Sequence, residues 1–148
     1  MLPEINHYEG MDGTPAVAIA LLGQLECLNE GGERAVGLHW SYNAITATVE
    51  NKVVGVIVWF DQTKESKRIW LQLGYVLPAF RGKGIYSHLW RALVEKARQM
   101  KCPEIHSATR FDNHHMREVA KAQGRVEYAV SLRFRVPEAS DDQPVKPS

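Results

Sequence analysis

The sequence has little charge imbalance and no long apolar run. Its 148 residues carry 18 lysines and arginines against 17 aspartates and glutamates, which leaves a formal net charge of +1. Nucleic-acid-binding proteins usually have a basic excess, so this class is disfavoured. No apolar stretch approaches the ~20 residues that span a bilayer, and the first one, Ala16–Leu22, follows no basic segment. We therefore expect a cytoplasmic protein that binds neither nucleic acid nor membrane.

Cysteines are also few, which bears on both disulfides and metals. Cys27 and Cys102 are isolated in a chain without a secretion signal, a setting in which free thiols are the usual state. Neither has a second cysteine nearby that would suggest zinc. His114 and His115 are adjacent, so on a helix they would point about 100° apart and would not readily share a metal. We expect no metal site.

Length and composition indicate one folded domain followed by a tail. A chain of 148 residues with 45% hydrophobic and 24% charged residues fits a single domain with a real core. The last twelve residues contain three prolines, two serines and three acidic residues, which offer little to bury, and such a composition favours disorder. We predict a domain over residues 1–136 and a disordered tail over 137–148.

Hydrophobic periodicity predicts a mixed α+β sheet with helices packed on it. Antiparallel strands come first and a β-α-β crossover follows. The predicted strands are Ile5–Tyr8, Ala44–Val49, Val53–Phe60, Arg68–Leu77, Glu104–Thr109 and Arg125–Val136. The predicted helices are Ala16–Asn29, started by Thr14-Pro15 and stopped by Gly31-Gly32; Gly84–Met100; and Asn113–Gln123, capped by Asp112 or Asn113 and closed by Gly124. Gly32–Tyr42 fits either a short helix or a loop, and polar Asp61–Ser66 a hairpin connection.

The segment Tyr75–Tyr86 is the most informative part of the sequence. A strand ends at Pro78, a loop carries two glycines and two cations, and a long helix begins. Helix N-termini present unpaired N–H donors and a positive dipole end, and glycines let the backbone approach an anion, so the segment suits a phosphate. The residues match neither a Walker loop nor a dinucleotide fingerprint. Read alone, the segment also fits a tight turn with two solvated cations.

In context, this segment resembles the GNAT N-acetyltransferase superfamily. The family signature, Gln/Arg-x-x-Gly-x-Gly/Ala after a strand ending Val-x-Pro, is matched by Arg81-Gly-Lys-Gly-Ile-Tyr86 after Val76-Leu-Pro78. Val53-Val-Gly55 and the unit from Asp112-Asn113 to Gly124 extend the resemblance. It implies the GNAT fold: a mostly antiparallel sheet splayed at a parallel strand pair, with helices on both faces.

The resemblance also implies an activity, transfer of acetyl from acetyl-coenzyme A to a primary amine by direct attack in a ternary complex. The backbone of Val76 and the side chain of Asn113 would bind the pantetheine arm, and the N–H of Gly74 would act as oxyanion donor. The pyrophosphate would bind the backbone N–H groups of a six-residue loop: Arg81, Gly82, Lys83, Gly84, Ile85 and Tyr86.

The sequence departs from the family at the last signature position, which is Tyr86 rather than Gly or Ala, and in its catalytic groups. Trp70 and Gln72 stand where family members often carry a carboxylate. Ala120 stands where many have a tyrosine that protonates the leaving thiolate; Tyr128 lies beyond that helix.

The general base and the acceptor therefore stay open. His39, Glu33 or His106 could serve as base, or water could carry the proton away. Trp40 fits the core or the acceptor pocket. Small amines, peptide N-termini and lysine side chains remain as acceptors, and an acyl-coenzyme A-binding module with little catalysis is the alternative function. The single short strand after Gly124 suggests a homodimer.

Overall fold

The computed structural model describes residues 2–29, 36–109 and 112–138, and the chain divides into two compact units, Met1–Ala108 and Thr109–Ser148. The first unit contains a five-stranded sheet and the second a helix. The strands are β1 (Glu4–Tyr8), β2 (Asn43–Val49), β3 (Lys52–Asp61), β4 (Arg68–Val76) and β5 (Glu104–Ser107). The helices are α1 (Ala16–Asn29), α2 (Thr63–Ser66), α3 (Ile85–Gln99) and α4 (His114–Ala122), with a 3-10 turn at Pro78–Phe80.

The strands follow chain order across the sheet, and only the last pair is parallel. β1, β2, β3 and β4 pair antiparallel in succession, and β4 pairs parallel with β5. Glu50 and Asn51 have φ of 50° and 65° and connect β2 to β3, in the left-handed conformation that a two-residue hairpin turn requires. A parallel pair needs a long crossover, and α3 supplies it. The predicted mixed sheet is confirmed.

Each face of the sheet has a helix and its own apolar cluster. On one face α3 buries Ile85, Leu89 and Leu93 against a cluster that includes Ile57 and Ile69. These three helix positions are spaced four residues apart, so they lie on one side of the helix. On the other face α1 contributes a second buried group with β2, β3 and β4: Ala16, Ile19, Ala20, Ala44, Val56, Val58 and Leu73. Helices on both faces, as the resemblance implied, are therefore observed.

Most predicted elements occur at their predicted places. Helix α1 has the predicted bounds, and Thr14 Oγ1 accepts a hydrogen bond from Ala16 N–H at 3.3 Å at its start. Of the two candidate caps of α4, Asn113 is the one used, since its Oδ1 accepts from Met116 N–H at 3.1 Å. The polar connection 61–66 contains α2. The predicted stop at Gly31-Gly32 lies outside the described residues, and residues 36–42 form neither helix nor strand.

The predicted strand Arg125–Val136 is wrong, because residues 125–138 form no strand or helix. The physical reason is exposure. Alternation stabilises a strand only when one face is covered, and here the apolar side chains at every second position are 77–91% exposed: Val126, Tyr128, Val130, Leu132, Phe134 and Val136. The boundary of one domain at residue 136 stays a prediction, as does disorder of the tail, whose residues 139–148 lie outside the described ranges.

Candidate active site

Strand β4 contains a β-bulge at Gln72. In the ladder with β3, Leu73 pairs with Val58 while Leu71 pairs with Trp59, so Gln72 is an extra residue on β4. A bulge bends its strand and exchanges the faces to which following side chains point. Accordingly, Leu71 belongs to the cluster under α3, whereas Leu73 belongs to the cluster under α1.

The bulge coincides with the end of the parallel ladder. β5 pairs with β4 from Arg68–Glu104 to Leu71–Ser107 and no further. β4 itself continues to Val76 beside β3. Within the described part of the chain, no strand pairs with residues 72–76 on the side where β5 ended. The sheet is therefore open along the second half of β4.

Backbone groups of Gly74 and Val76 point into this opening. Leu77 N–H donates to Val54 O at 2.8 Å. In an antiparallel ladder every second residue directs its backbone groups at the same neighbour, so Leu77, Tyr75 and Leu73 face β3. Gly74 and Val76 consequently face the opposite side. The Val76 carbonyl accepts from Arg81 Nε at 2.9 Å, and the other group that Val76 turns to the opening is its N–H.

The loop 81–84 links the open strand to α3. Gly82 and Gly84 have φ of 74° and 80°, a region that side-chain-bearing residues rarely adopt. Gly84 is the N-cap of α3 and provides no side-chain oxygen, and the first helical bond runs from His88 N–H to Gly84 O at 3.2 Å. The N–H groups of the first turn therefore have no helical acceptors. Arg81 N–H donates to Pro78 O at 3.3 Å, so the available donors begin at Gly82.

The Arg81 side chain braces the loop against α1 rather than extending from it. One terminal nitrogen of Arg81 lies 2.7 and 2.8 Å from the two carboxylate oxygens of Glu26, and the guanidinium lies over the Tyr75 ring, 5.5 Å from its centroid. Burial and Glu26, which also accepts a hydrogen bond from the phenol, raise the pKa of Tyr75 above its usual range, and Arg81 opposes them. This cluster fixes the loop, and Lys83 remains as its exposed cation.

Trp70 and Gln72, the two uncharged substitutes for a carboxylate, are joined by a hydrogen bond. Trp70 Nε1 donates to Gln72 Oε1 at 2.8 Å, and Gln72 Nε2 donates to Gly37 O at 2.7 Å. A cleft of about 180 Å³ adjoins them, lined also by Val36, Leu71 and Ala108. The bulge residue thus ties β4 to the segment after α1 and lines a small pocket.

The candidate bases have different surroundings. His106 pairs across the ladder with Trp70 and lies 2.8 Å from Glu104 Oε1 through Nε2, while Arg68 lies 3.4 Å from its Nδ1. Since arginine only donates, these contacts favour the tautomer with hydrogen on Nε2. His39 is exposed and contacts Ser41 Oγ at 2.6 Å. Glu33 lies outside the described residues, and Trp40 is 45% exposed, which disfavours a core role for it.

The second unit holds Asn113, Ala120 and Tyr128. Asn113 caps α4 through its side-chain oxygen, Ala120 is half-buried on that helix, and Tyr128 is 81% exposed. Arg117 Nε donates to Glu127 Oε1 at 2.7 Å within this unit. This bond holds the pKa of the Glu127 carboxyl below its usual value. The pantetheine contact expected of Asn113 stays a prediction.

Comparison with known proteins decides the family. The model of a family described as "Acetyltransferase (GNAT) family" matches residues 22–124, which include the open strand, the glycine loop and the cap of α4. The chain belongs to the GNAT acetyltransferase family. It is therefore an acetyltransferase, and acetyl-coenzyme A is the acyl donor of enzymes of this family. No curated protein matches the chain significantly.

Solved structures share the fold of this acetyltransferase at low identity. It superposes on aminoglycoside N-acetyltransferase AAC(6')-Iy in complex with CoA, with a TM-score of 0.63, 20% identity, and coverage of 90% of this chain and 99% of the other. For an aminoglycoside acetyltransferase from an uncultured soil metagenomic sample, the TM-score is 0.69 and the identity 17%, with coverage of 94% of this chain and 100% of the other. For a ribosomal-protein-alanine N-acetyltransferase from Brucella melitensis biovar Abortus 2308, the TM-score is 0.67 and the identity 16%, with coverage of 92% of this chain and 100% of the other. Similarity at this level shows the fold alone.

Two further findings concern metals and membranes. Among the described residues of the acetyltransferase, no three histidine, cysteine or acidic side chains are grouped so that they could hold a metal ion. None of the helices in these ranges has both the length and the hydropathy that crossing a bilayer requires.

Two features of the site were missed by sequence reasoning. The bulge at Gln72 cannot be seen in the sequence, because the apolar residues Ile69, Leu71 and Leu73 keep occupying every second position through it. The second is a contact between Gly74 and Tyr86. A Cβ added to Gly74 would lie 2.6 Å from Tyr86 Cε2, so the aromatic ring requires a glycine at this point. The unusual residue at the last signature position was the available signal.

Proposed function

We propose that this acetyltransferase transfers acetyl from acetyl-coenzyme A to a primary amine by direct attack within a ternary complex. The observation that carries the proposal is the opening of the sheet beyond Gln72. There the backbone groups of Gly74 and Val76 face a space that β5 has left, directly before the glycine loop. A coenzyme arm can pair with this edge as a further strand would, by β-augmentation.

The glycine loop is the seat for the pyrophosphate. The N–H groups of Gly82, Lys83, Gly84, Ile85 and Tyr86 surround the N-terminus of α3, whose dipole favours an anion. Gly82 and Gly84 have open space where a side chain would start. The Arg81 backbone N–H belongs to the same loop, while its side chain is held by Glu26. Arg81 thus supports the loop, and Lys83, whose ammonium lies 5.4 Å from the centroid of the Phe80 ring, adds a positive charge.

The chemical step uses the groups at the open edge. The Val76 N–H binds the pantetheine amide, and the Gly74 N–H donates to the thioester oxygen as negative charge develops there, an interaction worth about 3 kcal/mol in comparable sites. A pantetheine contact of the Asn113 side chain is proposed from the family resemblance alone. Holding amine and thioester together supplies much of the remaining rate enhancement.

The acceptor is a small-molecule amine that enters beside Trp70 and Gln72. This cleft is small, about 180 Å³, and is lined by the residues at which the strands separate. Several proteins of the same fold are aminoglycoside acetyltransferases, which supports the class of acceptor. The acceptor must be neutral to attack, and an amine of ordinary pKa near ~10 is mostly protonated at neutral pH. We therefore expect the rate to rise with pH between 7 and 9.

A turnover assay with a panel of amines tests the proposal. The panel contains an aminoglycoside, a short diamine and a peptide with N-terminal alanine, and release of the coenzyme A thiol reports transfer. We expect binding of acetyl-coenzyme A and turnover with at least one small amine. Binding without any transfer would identify the alternative, a coenzyme A-binding module. Absence of binding would contradict the proposed site itself. The cytoplasmic location stays a prediction that cell fractionation tests.

We also propose that two copies pair through residues 125–136. An antiparallel pair centred on Ser131 would place apolar against apolar side chains on one face: Val126 with Val136, Tyr128 with Phe134 and Val130 with Leu132 of the other copy. On the opposite face Glu127 of each copy would lie across from Arg135 of the other, and no two like charges would lie across from each other. Such self-complementarity is what a two-fold interface requires, and it would cover side chains that are now exposed.

Cysteine cross-linking tests this register. Ser131 would face Ser131 of the other copy, within the Cα separation that a disulfide spans. Ser131→Cys should therefore form a covalent dimer on oxidation. Ala129→Cys, which would face Arg133, is the matched control and should not, and the wild type controls for Cys27 and Cys102. A wild type that sediments as a monomer, or equal cross-linking of both variants, would contradict the pairing.

A further inference from the structure

The ring of Tyr86 lies against the backbone of Gly74. Of the atoms around a Cβ built on Gly74, the three nearest all belong to Tyr86: Cε2 at 2.6 Å, the hydroxyl oxygen at 3.2 Å and Cζ at 3.4 Å. Tyr86 is the second residue of α3 and is half-buried. Its phenol therefore extends from the start of the helix to the strand, and its hydroxyl end lies beside Gly74.

This location matters because of what Gly74 faces. Its backbone groups point into the opening, as the alternation from Leu77 shows. Under the proposed function, on which this inference rests, the thioester lies at Gly74 N–H. The hydroxyl oxygen, which would lie 3.2 Å from a Cβ on Gly74, is then near the sulfur that leaves when the carbon–sulfur bond breaks.

We propose that the Tyr86 hydroxyl is the proton donor to the departing coenzyme A thiolate. The amine nitrogen attacks the thioester carbon, the carbon–sulfur bond breaks, and its electron pair stays on sulfur. Tyr86 gives its proton to that sulfur. The proton that the attacking nitrogen loses passes to water, and the phenolate regains a proton from solvent. The products are the amide and the free thiol, with no net change in the enzyme.

Two other tyrosine hydroxyls, those of Tyr75 and Tyr128, fit this role less well. Tyr75 is one residue from Gly74 but packs in the cluster on the α1 face, where its hydroxyl is hydrogen-bonded to Glu26. Tyr128 is 81% exposed in the second unit. Ala120 has no hydroxyl. Tyr86 thus replaces, from the first turn of α3, a group that the sequence lacks at position 120.

Tyr86→Phe removes the hydroxyl and keeps the ring that packs on Gly74. The matched control is Tyr8→Phe, a half-buried tyrosine on β1 outside the site. We expect kcat of Tyr86→Phe to fall about 10²-fold or more, in the range for a lost acid catalyst, with KM for acetyl-coenzyme A unchanged. Tyr8→Phe should match the wild type.

A binding measurement gives a readout that is independent of turnover. The wild type should bind coenzyme A more tightly than desulfo-coenzyme A, because the hydroxyl contacts the sulfur, and Tyr86→Phe should lose this preference. Unchanged kcat together with an unchanged preference would overturn the inference, as would loss of kcat in Tyr128→Phe instead. If the wild type binds neither compound, the proposed function fails as well, so the two failures are distinguishable.

Discussion

The two halves of β4 differ in what lies beside them. Residues 69–71 are paired with β3 on one side and β5 on the other, and Ile69 and Leu71 are buried in the cluster under α3. Residues 73–76 are paired with β3 alone among the described strands. The single extra residue at Gln72 separates the halves. One strand thus has neighbouring strands on both sides before the bulge and on one side only after it, although Leu73 and Val76 still contribute to the core.

The largest effect is expected from the first half. Ile69→Ala removes a fully buried side chain and should lower the free energy of unfolding by about 2–5 kcal/mol, measured by urea denaturation. Because the proposed coenzyme site lies on the other half, the increase in melting temperature that we expect from acetyl-coenzyme A should persist. Loss of this increase in a folded Ile69→Ala protein would mean that the halves are not separate in role.

The next effect concerns the glycine loop. Gly84→Glu places a negative charge where the pyrophosphate should bind. Ligand at 100 times its dissociation constant stabilises a protein by about 2.7 kcal/mol, and this gain, seen as a shift in melting temperature, should vanish. Gly84→Ala carries the same positive-φ strain without the charge, and no atom lies within 4 Å of its Cβ. It should melt earlier yet keep most of the shift; equal shifts in both variants would exclude the loop as the phosphate site.

A smaller effect is expected from the contact between Gly74, in the second half of β4, and Tyr86. Gly74→Ala forces its Cβ to 2.6 Å from Tyr86 Cε2, and overpacking of this kind costs about 1–3 kcal/mol. In a Tyr86→Ala background the same change should cost much less, since the ring is gone. A double-mutant cycle from chemical denaturation measures the coupling. Additive costs would show that the two residues do not touch.

The smallest effect is a pH dependence of stability that comes from Tyr75 in its cluster with Arg81 and Glu26. The pKa of Tyr75 is raised in the fold, mainly by burial and by Glu26. Its neutral form is thus favoured in the native state, so this stabilisation is complete below the unfolded pKa near 10. It is lost as pH rises through the higher native pKa. Tyr75→Phe should flatten the decline in stability above pH 10, which melting temperatures from pH 8 to 11 would reveal.

Sequence reasoning predicted the elements better than their interruptions. The bounds of α1 follow from the flanking Thr14-Pro15 and Gly31-Gly32, and α3 follows from the 3.6-residue period of its apolar residues; both are local signals. The glycine loop could be predicted because two glycines and two cations between a strand and a helix are typical of few structures other than an anion site. The bulge at Gln72 depends instead on pairing with β3, and nothing within β4 marks it.

Two further misses have the same origin. The ring of Tyr86 reaches Gly74 across twelve residues of chain, so only the folded geometry reveals why a glycine stands there. Residues 125–136 alternate as a strand should, but whether alternation produces a strand depends on a covering partner. In the described chain these side chains are exposed. Contacts between distant segments, rather than local preferences, decide all three features.

Amide hydrogen exchange along β4, measured by NMR with and without acetyl-coenzyme A, tests the central claim most directly. The account predicts that the ligand slows exchange at Gly74 and Val76, whose N–H groups face the opening. Leu73 and Tyr75, which face β3, should change little, as should residues 68–71. Ligand binding, proven by a melting shift in the same sample, without slower exchange at Gly74 and Val76 would contradict the account.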